Sequence, residues 1–304
     1  MKKNISAFKF SSIIRSKIKN ICVYTNKSFK DLTTFRIGGK IRCLIEIKDV
    51  DTLLKVFAYI KEYNMQYFIL GYGSNILCSD KVYRDLVVIK ISINDYVVRN
   101  EKIICGAGLG LFRLNNIAIK NGLSGLEWSY GIPGSVGGAV HMNAGCFCHE
   151  IKDVVDCVYY TDGEKIYKKK GNALEFSYRK SFFTNKNYII LKVVFVLLKD
   201  SESNIEKKCF SYYNERRLKQ PYAYPSAGSI FKRPQDNFAP ILIEQCGLKG
   251  IEYGGAMISK KHCGFIINNK KAKCKDVLKL IDKIKKTVFK KFGIMLEEEI
   301  IILR

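Results

Sequence analysis

Several short stretches of this 304-residue chain combine residue types and spacings that suit chemistry. The first is Gly131-Ile-Pro-Gly-Ser-Val-Gly-Gly-Ala-Val-His-Met-Asn-Ala-Gly145, which crowds glycines around one proline without the polarity of a linker. Glycine lacks a Cβ, so the backbone can reach positive φ and come close to a ligand. Pro133 fixes its own φ and pushes Ile132 towards extended geometry. Such a row of backbone N–H groups can cradle an anion or line a flat ring. The same composition also suits a buried turn between two domains. The second stretch, Gly71-Tyr-Gly-Ser-Asn75, follows an apolar run, Tyr67-Phe-Ile-Leu70. Small residues, backbone N–H groups and two side-chain donors make it a plausible pyrophosphate cradle. It is not the dinucleotide fingerprint, because Ile76 stands where the third glycine is required; Gly106-Ala-Gly-Leu-Gly110 fails likewise at Leu111.

The other stretches carry side chains rather than bare backbone. Arg179 lies in Glu175-Phe-Ser-Tyr-Arg-Lys-Ser-Phe182, where it suits an anion or an ordinary surface salt bridge. Ser229 follows Gly228, which leaves its hydroxyl sterically open, but no Gly-x-Ser-x-Gly elbow surrounds it. A serine-hydrolase nucleophile is therefore disfavoured. Near the C-terminus, Glu297, Glu298 and Glu299 interrupt an apolar run, Leu296 to Leu303, and cannot all be exposed if both faces are buried. Period-two geometry puts Glu297 and Glu299 on one face without ranking them. Cys146, Cys148 and His149 make only a weak metal case, and no Cys-x-x-Cys pair occurs among the eleven cysteines, so reduced thiols are expected.

These stretches need elements to hold them. Alternation predicts strands at 41–47, 86–91, 102–105, 151–160, 164–167, 188–198 and 296–303, with Asp162-Gly163 as a hairpin turn. Apolar residues at helical spacing predict helices at 51–63, 111–121, 204–219, 241–246 and 275–292, the last with Val277, Leu278, Ile281, Ile284 and Val288 inward. Gly122 is a C-cap. Trp128 is expected in the core and His262 in a structural or contact role. Residues 1–20 read as a frayed or weakly docked extension.

Composition sets outer bounds. With 47% hydrophobic and 26% charged residues the chain is soluble and globular, and its length allows two or three domains. It has no apolar run of about 18 residues, and Arg15, Lys17 and Lys19 interrupt any signal-peptide core, so a cytoplasmic protein without a membrane partner is expected. The net charge of +24 is spread as lysine among isoleucine and asparagine. The densest clusters, Lys168 to Lys170 and Lys285 to Lys291, read as a hairpin and a solvent-facing helix. Aromatics do not interleave with a basic stripe, which argues against nucleic acid.

Gly-Ile-Pro-Gly-Ser-Val-Gly-Gly-Ala with Met142-Asn-Ala-Gly145 resembles the flavin-binding segment of the UDP-N-acetylenolpyruvoylglucosamine reductase family. The resemblance continues, in order, over roughly residues 25–303. It includes Thr33-Thr34 before Gly38-Gly39, Tyr178-Arg-Lys-Ser181, Ser226-Ala-Gly-Ser229, the segment Gly254 to Asn268, and Leu296-Glu-Glu-Glu-Ile300. It implies an α+β fold: a two-part FAD-binding region of the vanillyl-alcohol oxidase/para-cresol methylhydroxylase type, plus a C-terminal α/β substrate-binding domain. The expected boundaries are an extension at 1–20, the FAD region at 21–200 and the substrate domain at 201–304. The short length fits the subgroup lacking an extra loop over the substrate.

What the resemblance implies chemically is the NADPH-dependent, FAD-mediated reduction of a UDP-sugar enolpyruvyl ether to UDP-N-acetylmuramate, in peptidoglycan synthesis. FAD would be held by Gly71, Gly73, Ser74, Asn75, Gly131, Ser135, Gly138, Asn143 and Gly145. Arg179, Ser229 and Glu299 match the catalytic arginine, proton-donating serine and glutamate; Tyr178, Lys219 and Asn268 match substrate contacts. Relatives follow the glycine segment with a small residue, an aromatic and then glycine, where this chain has Cys146-Phe-Cys-His149. If residue 148 needs positive φ, cysteine is strained there. Two alternatives compete: an oxidase of the same flavin superfamily with another substrate, and a non-catalytic basic nucleic-acid-binding protein. The Ser-Ala-Gly-Ser and Leu-Glu-Glu-Glu segments oppose the first, and Arg179, Ser229 and Glu299 together oppose the second.

Overall fold

A computed structural model describes residues 5–304. The described chain forms two compact units from interleaved segments: residues 5–26, 41–72 and 84–215 in one, and 27–40, 73–83 and 216–304 in the other.

The first unit holds two sheets over one continuous core. In the four-stranded sheet Cys22–Tyr24 lies beside Ile41–Ile47, then Tyr83–Ile91, then Gln66–Leu70. Gln66–Leu70 runs parallel to its neighbour, Tyr67 facing Val87. The crossover out of Ile41–Ile47 is the helix Val50–Glu62, started by Asp49, whose carboxylate accepts from Thr52 N at 2.8 Å. The five-stranded sheet is antiparallel, in the order Ile166–Lys170, Val155–Thr161, Ile189–Val196, Lys102–Gly106, Tyr96–Arg99. Its central strand, Ile-Ile-Leu-Lys-Val-Val-Phe-Val, is nearly all apolar because side chains on both of its faces are buried. Trp128 is buried, with its indole N–H donating to Gly125 O at 3.2 Å.

The expectation of a frayed N-terminus is corrected from residue 5 onward; residues 1–4 lie outside the described residues. Ala7–Lys17 is a helix capped by Ser6, with Ala7, Phe10, Ser11 and Ile14 buried at i, i+3, i+4 and i+7. Arg15 donates to Val23 O at 2.8 Å. Full burial of Phe10 and Ile14 is worth about 1.5–3 kcal/mol each, enough to hold a three-turn helix down.

The second unit is built on a four-stranded antiparallel sheet in the order Ser226–Ser229, Phe265–Asn268, Ala256–Ile258, Glu252–Tyr253. The helix Cys274–Phe292 packs Val277, Leu280, Ile281, Ile284 and Val288 into its core and stops at Gly293, φ 70°. Lys286, Lys290 and Lys291 are on its solvent face. The expected terminal strand is shorter: only Ile301–Leu303 pairs regularly, in parallel with Ile76–Cys78. Leu296 to Ile300 instead runs along residues 230–232 through Glu299 N to Ile230 O at 2.8 Å, Lys232 N to Glu297 O at 2.9 Å and a bridge of Phe231 with Glu298.

Candidate functional site

The glycine segment is stitched to the Gly106–Gly110 loop by backbone bonds: Gly137 N to Ala107 O and Val136 N to Leu109 O, both 2.8 Å, and Leu111 N to Gly134 O at 2.9 Å. A Cβ on Gly137 would meet that of Ala107 at 2.9 Å. Ser135 caps the short helix Val136–His141, its hydroxyl accepting from Gly138 N at 3.3 Å. Gly71 arrives at the same place, where a Cβ would stand 2.4 Å from Ser135 Oγ; a Cβ on Gly110 would stand 2.4 Å from the Tyr72 hydroxyl. Gly71, 64 residues away in sequence, is thus brought to the same Ser135 hydroxyl that accepts from Gly138. Pro133 and Gly138 are exposed, and Gly71 and Gly131 are partly exposed, so the segment is not a buried turn.

The C-terminal end of that segment supports Arg179. Ser177 and Lys180 exchange both backbone bonds at 3.1 Å, closing a turn whose corner is Tyr178-Arg179. Arg179 has φ 56°, lies 4.9 Å over the Tyr178 ring, and donates from Nη2 to Gly145 O at 3.0 Å. A Cβ on Gly145 would meet His149 O at 2.7 Å and Arg179 Nη1 at 3.3 Å. Asn143 is fully buried with φ 41°. Its amide donates to Ser177 O at 3.0 Å and to Glu150 Oε2 at 3.1 Å, and its Oδ1 accepts from Lys152 N at 3.1 Å. Its side chain therefore faces the Arg179 turn. Beyond Gly145 the chain makes a small hairpin, Cys146 opposite His149, whose corner residues Phe147 and Cys148 have φ 54° and 64°. Cysteine at 148 does occupy the left-handed region.

In the second unit, Gly73 (φ 63°) leaves no room for a side chain: a Cβ would stand 2.4 Å from Leu32 O. Ser74 and Asn75 are partly exposed. Asn75 Nδ2 donates to Glu299 O at 3.0 Å, and Asn75 O accepts from Ile301 N at 2.9 Å. Ser226–Ser229 is held at one end by Thr34, whose hydroxyl donates to Ser226 O at 2.7 Å. The strand bulges, Ser226 pairing with Ile267 but Ser229 with Phe265, because Gly228 takes φ 76° with open space beside it. Ser229 is partly exposed, and the bond from Glu299 N to Ile230 O brings the acid's backbone to the residue after it.

The three acids are separated by their partners. The carboxylate of Glu297 pairs with Lys232 at 3.0 Å and that of Glu298 with Lys285 at 2.9 Å, whereas Glu299 is joined to Asn75 and Ile230 through its backbone. Lys219 is exposed in the last turn of the helix Glu202–Lys219. Asn268 has both ends of its amide engaged, donating to Phe35 O at 3.1 Å and accepting from Ala272 N at 2.7 Å. Burial lowers the pKa of His262, whose Nδ1 accepts from Gly264 N at 3.2 Å, a structural arrangement. Sequence reading gave no role to Thr34 or Glu150, and placed Asn75 and Asn143 among ligand contacts alone. The Thr-Thr before Gly38-Gly39 was visible but carried no partner.

Comparison with known proteins gives this geometry a family. Residues 41–164 match a family described as an FAD-binding domain, and residues 220–303 match the C-terminal domain of UDP-N-acetylenolpyruvoylglucosamine reductase. A protein of that name from Caldicellulosiruptor saccharolyticus is 43% identical over 284 residues, 92% of each chain. The chain belongs to the UDP-N-acetylenolpyruvoylglucosamine reductase family. Another so named, from Clostridium tetani, is 39% identical over 97% of both chains. The crystal structure of the Thermus caldophilus reductase superposes with a TM-score of 0.81 at 31% identity, over 93% of this chain and all of that one.

The protein is thus an oxidoreductase of a family serving peptidoglycan synthesis, with an FAD-binding domain and a reductase C-terminal domain in an α+β fold. The residues present fit that cofactor: Ser135, Tyr72 and Ala107 leave no space for a Cβ on Gly71, Gly110 and Gly137, and Gly71, Pro133 and Gly138 keep part of this close-packed backbone at the surface, where a flat group can approach it. No described helix is long and apolar enough to cross a membrane.

Proposed function

We propose that this protein reduces UDP-N-acetylglucosamine enolpyruvate to UDP-N-acetylmuramate with NADPH. The observation that carries this reading is the short backbone link between the Glu299 segment and the residue after Ser229, in a chain about two-fifths identical to proteins named as this reductase. Gly71, Gly73, Ser74, Asn75, Gly131, Ser135, Gly138 and Gly145 would hold FAD, in a region drawn mainly from residues 21–200. Residues 201–304 would bind most of the substrate, with Lys219 on its anionic parts and Tyr178 and Asn268 beside it. Bound FAD would supply the hydride relay, from NADPH to the terminal carbon of the enolpyruvyl group.

The chain's own groups then manage charge and a proton. Hydride arrival at the terminal carbon moves an electron pair towards the substrate carboxylate, giving an enolate. Arg179, with Glu299 in its protonated form, stabilises that charge as preorganised donors do. The Ser229 hydroxyl gives its proton to the adjacent carbon, leaving a lactyl ether; a serine is acidic enough for this only against so basic a partner. NADPH and the UDP-sugar are small anions, which a +24 chain attracts. With no apolar spanning helix among the described residues, a cytoplasmic site of action fits this chemistry.

The test is the absorbance spectrum of the purified protein with anaerobic NADPH, followed by the enolpyruvyl substrate. Bleaching by NADPH and recolouring by substrate is the expected result. Bleaching without recolouring rejects the substrate, and absence of a flavin spectrum after FAD addition rejects the reading. Ser229→Ala should leave bleaching intact and slow recolouring by about 10²-fold or more; equal loss in both steps removes Ser229 as proton donor.

A further inference from the structure

We propose that Asn143 is a positioning residue for Arg179 rather than a contact to the cofactor. Its side chain is fully buried, and its three hydrogen bonds all go to the protein. Both amide hydrogens have acceptors, Ser177 O and Glu150 Oε2, which uses the full donor capacity of an asparagine. Ser177 is where the two-residue turn bearing Arg179 begins, 34 residues along the chain. Glu150 is itself held by Lys152 Nζ at 2.7 Å, and Lys152 N donates back to Asn143 Oδ1 at 3.1 Å. Asn143 is therefore a bracket, fixed at residues 150 and 152 and gripping the turn.

The turn needs such a bracket. Arg179 is a non-glycine residue at φ 56°, a conformation that persists only where the surroundings impose it. Its guanidinium meets Gly145 O, and Gly145 pairs with Glu150, the residue Asn143 also holds. One buried amide thus joins the base of the arginine's turn to the strand pair that receives its head. Asparagine suits the position doubly, because it tolerates its own left-handed φ and offers both donor and acceptor. Alanine would lose the grip and leave Ser177 O and Glu150 short of a donor.

The catalytic part of this inference rests on the role proposed for Arg179. The test uses FAD-loaded protein and the two half-reactions described above. Asn143→Ala is the direct variant; Asn143→Gly, which accepts the same φ and buries no new charge, guards against loss of folding. The expected result is full flavin content and bleaching by NADPH within twofold, with recolouring slowed about ten- to hundredfold, as misplacement of a charge-stabilising group does. In an Arg179→Ala background the Asn143 change should add no further loss. Flavin loss with equal slowing of both half-reactions, or multiplicative effects of the two changes, overturns the proposal. Hydrogen exchange at the Ser177 and Lys180 amides separates the bracket from the function. It should quicken in Asn143→Gly even if Arg179→Ala proves to leave recolouring unchanged. Unaltered protection there overturns the bracket; an inert Arg179→Ala overturns the role given to Arg179.

Discussion

The side-chain amide of Asn75 donates to the backbone carbonyl of Glu299 at 3.0 Å, across 224 residues of sequence. With Asn75 O accepting from Ile301 N at 2.9 Å, it extends the parallel pairing of Ile76–Cys78 with Ile301–Leu303 by one residue. A residue expected at the cofactor's pyrophosphate is thus also fastened to the segment that carries the candidate acid. Asn75→Ala should cost about 0.5–1.5 kcal/mol for the lost bond. That corresponds to a melting temperature lower by about 1–6 °C, measured on the FAD-loaded protein. Turnover should fall by about tenfold, because the Glu299 backbone loses one of its two anchors. An unchanged turnover would show that the Ile230 bond suffices.

The partners of the three acids predict their ranking. Glu297→Gln and Glu298→Gln break ion pairs to Lys232 and Lys285 that are exposed or partly so, and should cost at most about 1 kcal/mol with turnover within about twofold. Glu299→Gln should lower turnover by about 10²-fold or more, with a melting temperature close to that of the parent. Steady-state assays of the three single variants decide it; a severe effect at Glu297 would transfer the acid's role to that position.

Cys148 sits at φ 64° in a hairpin corner with no cis-proline or glycine to ease it. The left-handed region costs a side-chain-bearing residue about 1–2 kcal/mol, against an entropic cost for glycine of about half that. Cys148→Gly should therefore stabilise the protein by roughly 1 kcal/mol, read by denaturant unfolding. A loss of stability would mean that the thiol's own packing outweighs the strain.

Asp162 gives a signed pH dependence. Its carboxylate accepts from the backbone N–H groups of Lys165 and Glu164 and from the Tyr167 hydroxyl, which hold its pKa down at about 2. The unfolded chain, with an ordinary value of about 3.9, binds more protons between these limits. The turn's stabilisation is thus complete above about pH 4 and is lost as pH falls through about 2. Melting temperature against pH should slope downward towards acid in that window, and Asp162→Asn should flatten the slope.

Sequence alone determined whatever depends on near neighbours. Alternation and helical spacing are properties of consecutive residues, so the strand Ile41–Ile47, the helix Cys274–Phe292 and the Asp162-Gly163 turn follow from them. The missing third glycine likewise excluded the dinucleotide fingerprint, and the glycine segment with its neighbouring motifs was enough to indicate the family. Tertiary structure decided what depends on partners far along the chain. Periodicity puts Glu297 and Glu299 on one face, but only the fold pairs the carboxylates of Glu297 and Glu298 with Lys232 and Lys285 and fastens the Glu299 backbone to Asn75. A glycine-rich segment says that backbone approaches something, but not that Gly71 meets Ser135 or that Asn143 turns inward to Ser177. The N-terminal helix was missed for the same reason: its apolar stripe is local, but the surface that buries Phe10 and Ile14 is assembled by the fold. A hydrogen bond selects its partner by position in space, and the chain specifies that position only once it has closed on itself.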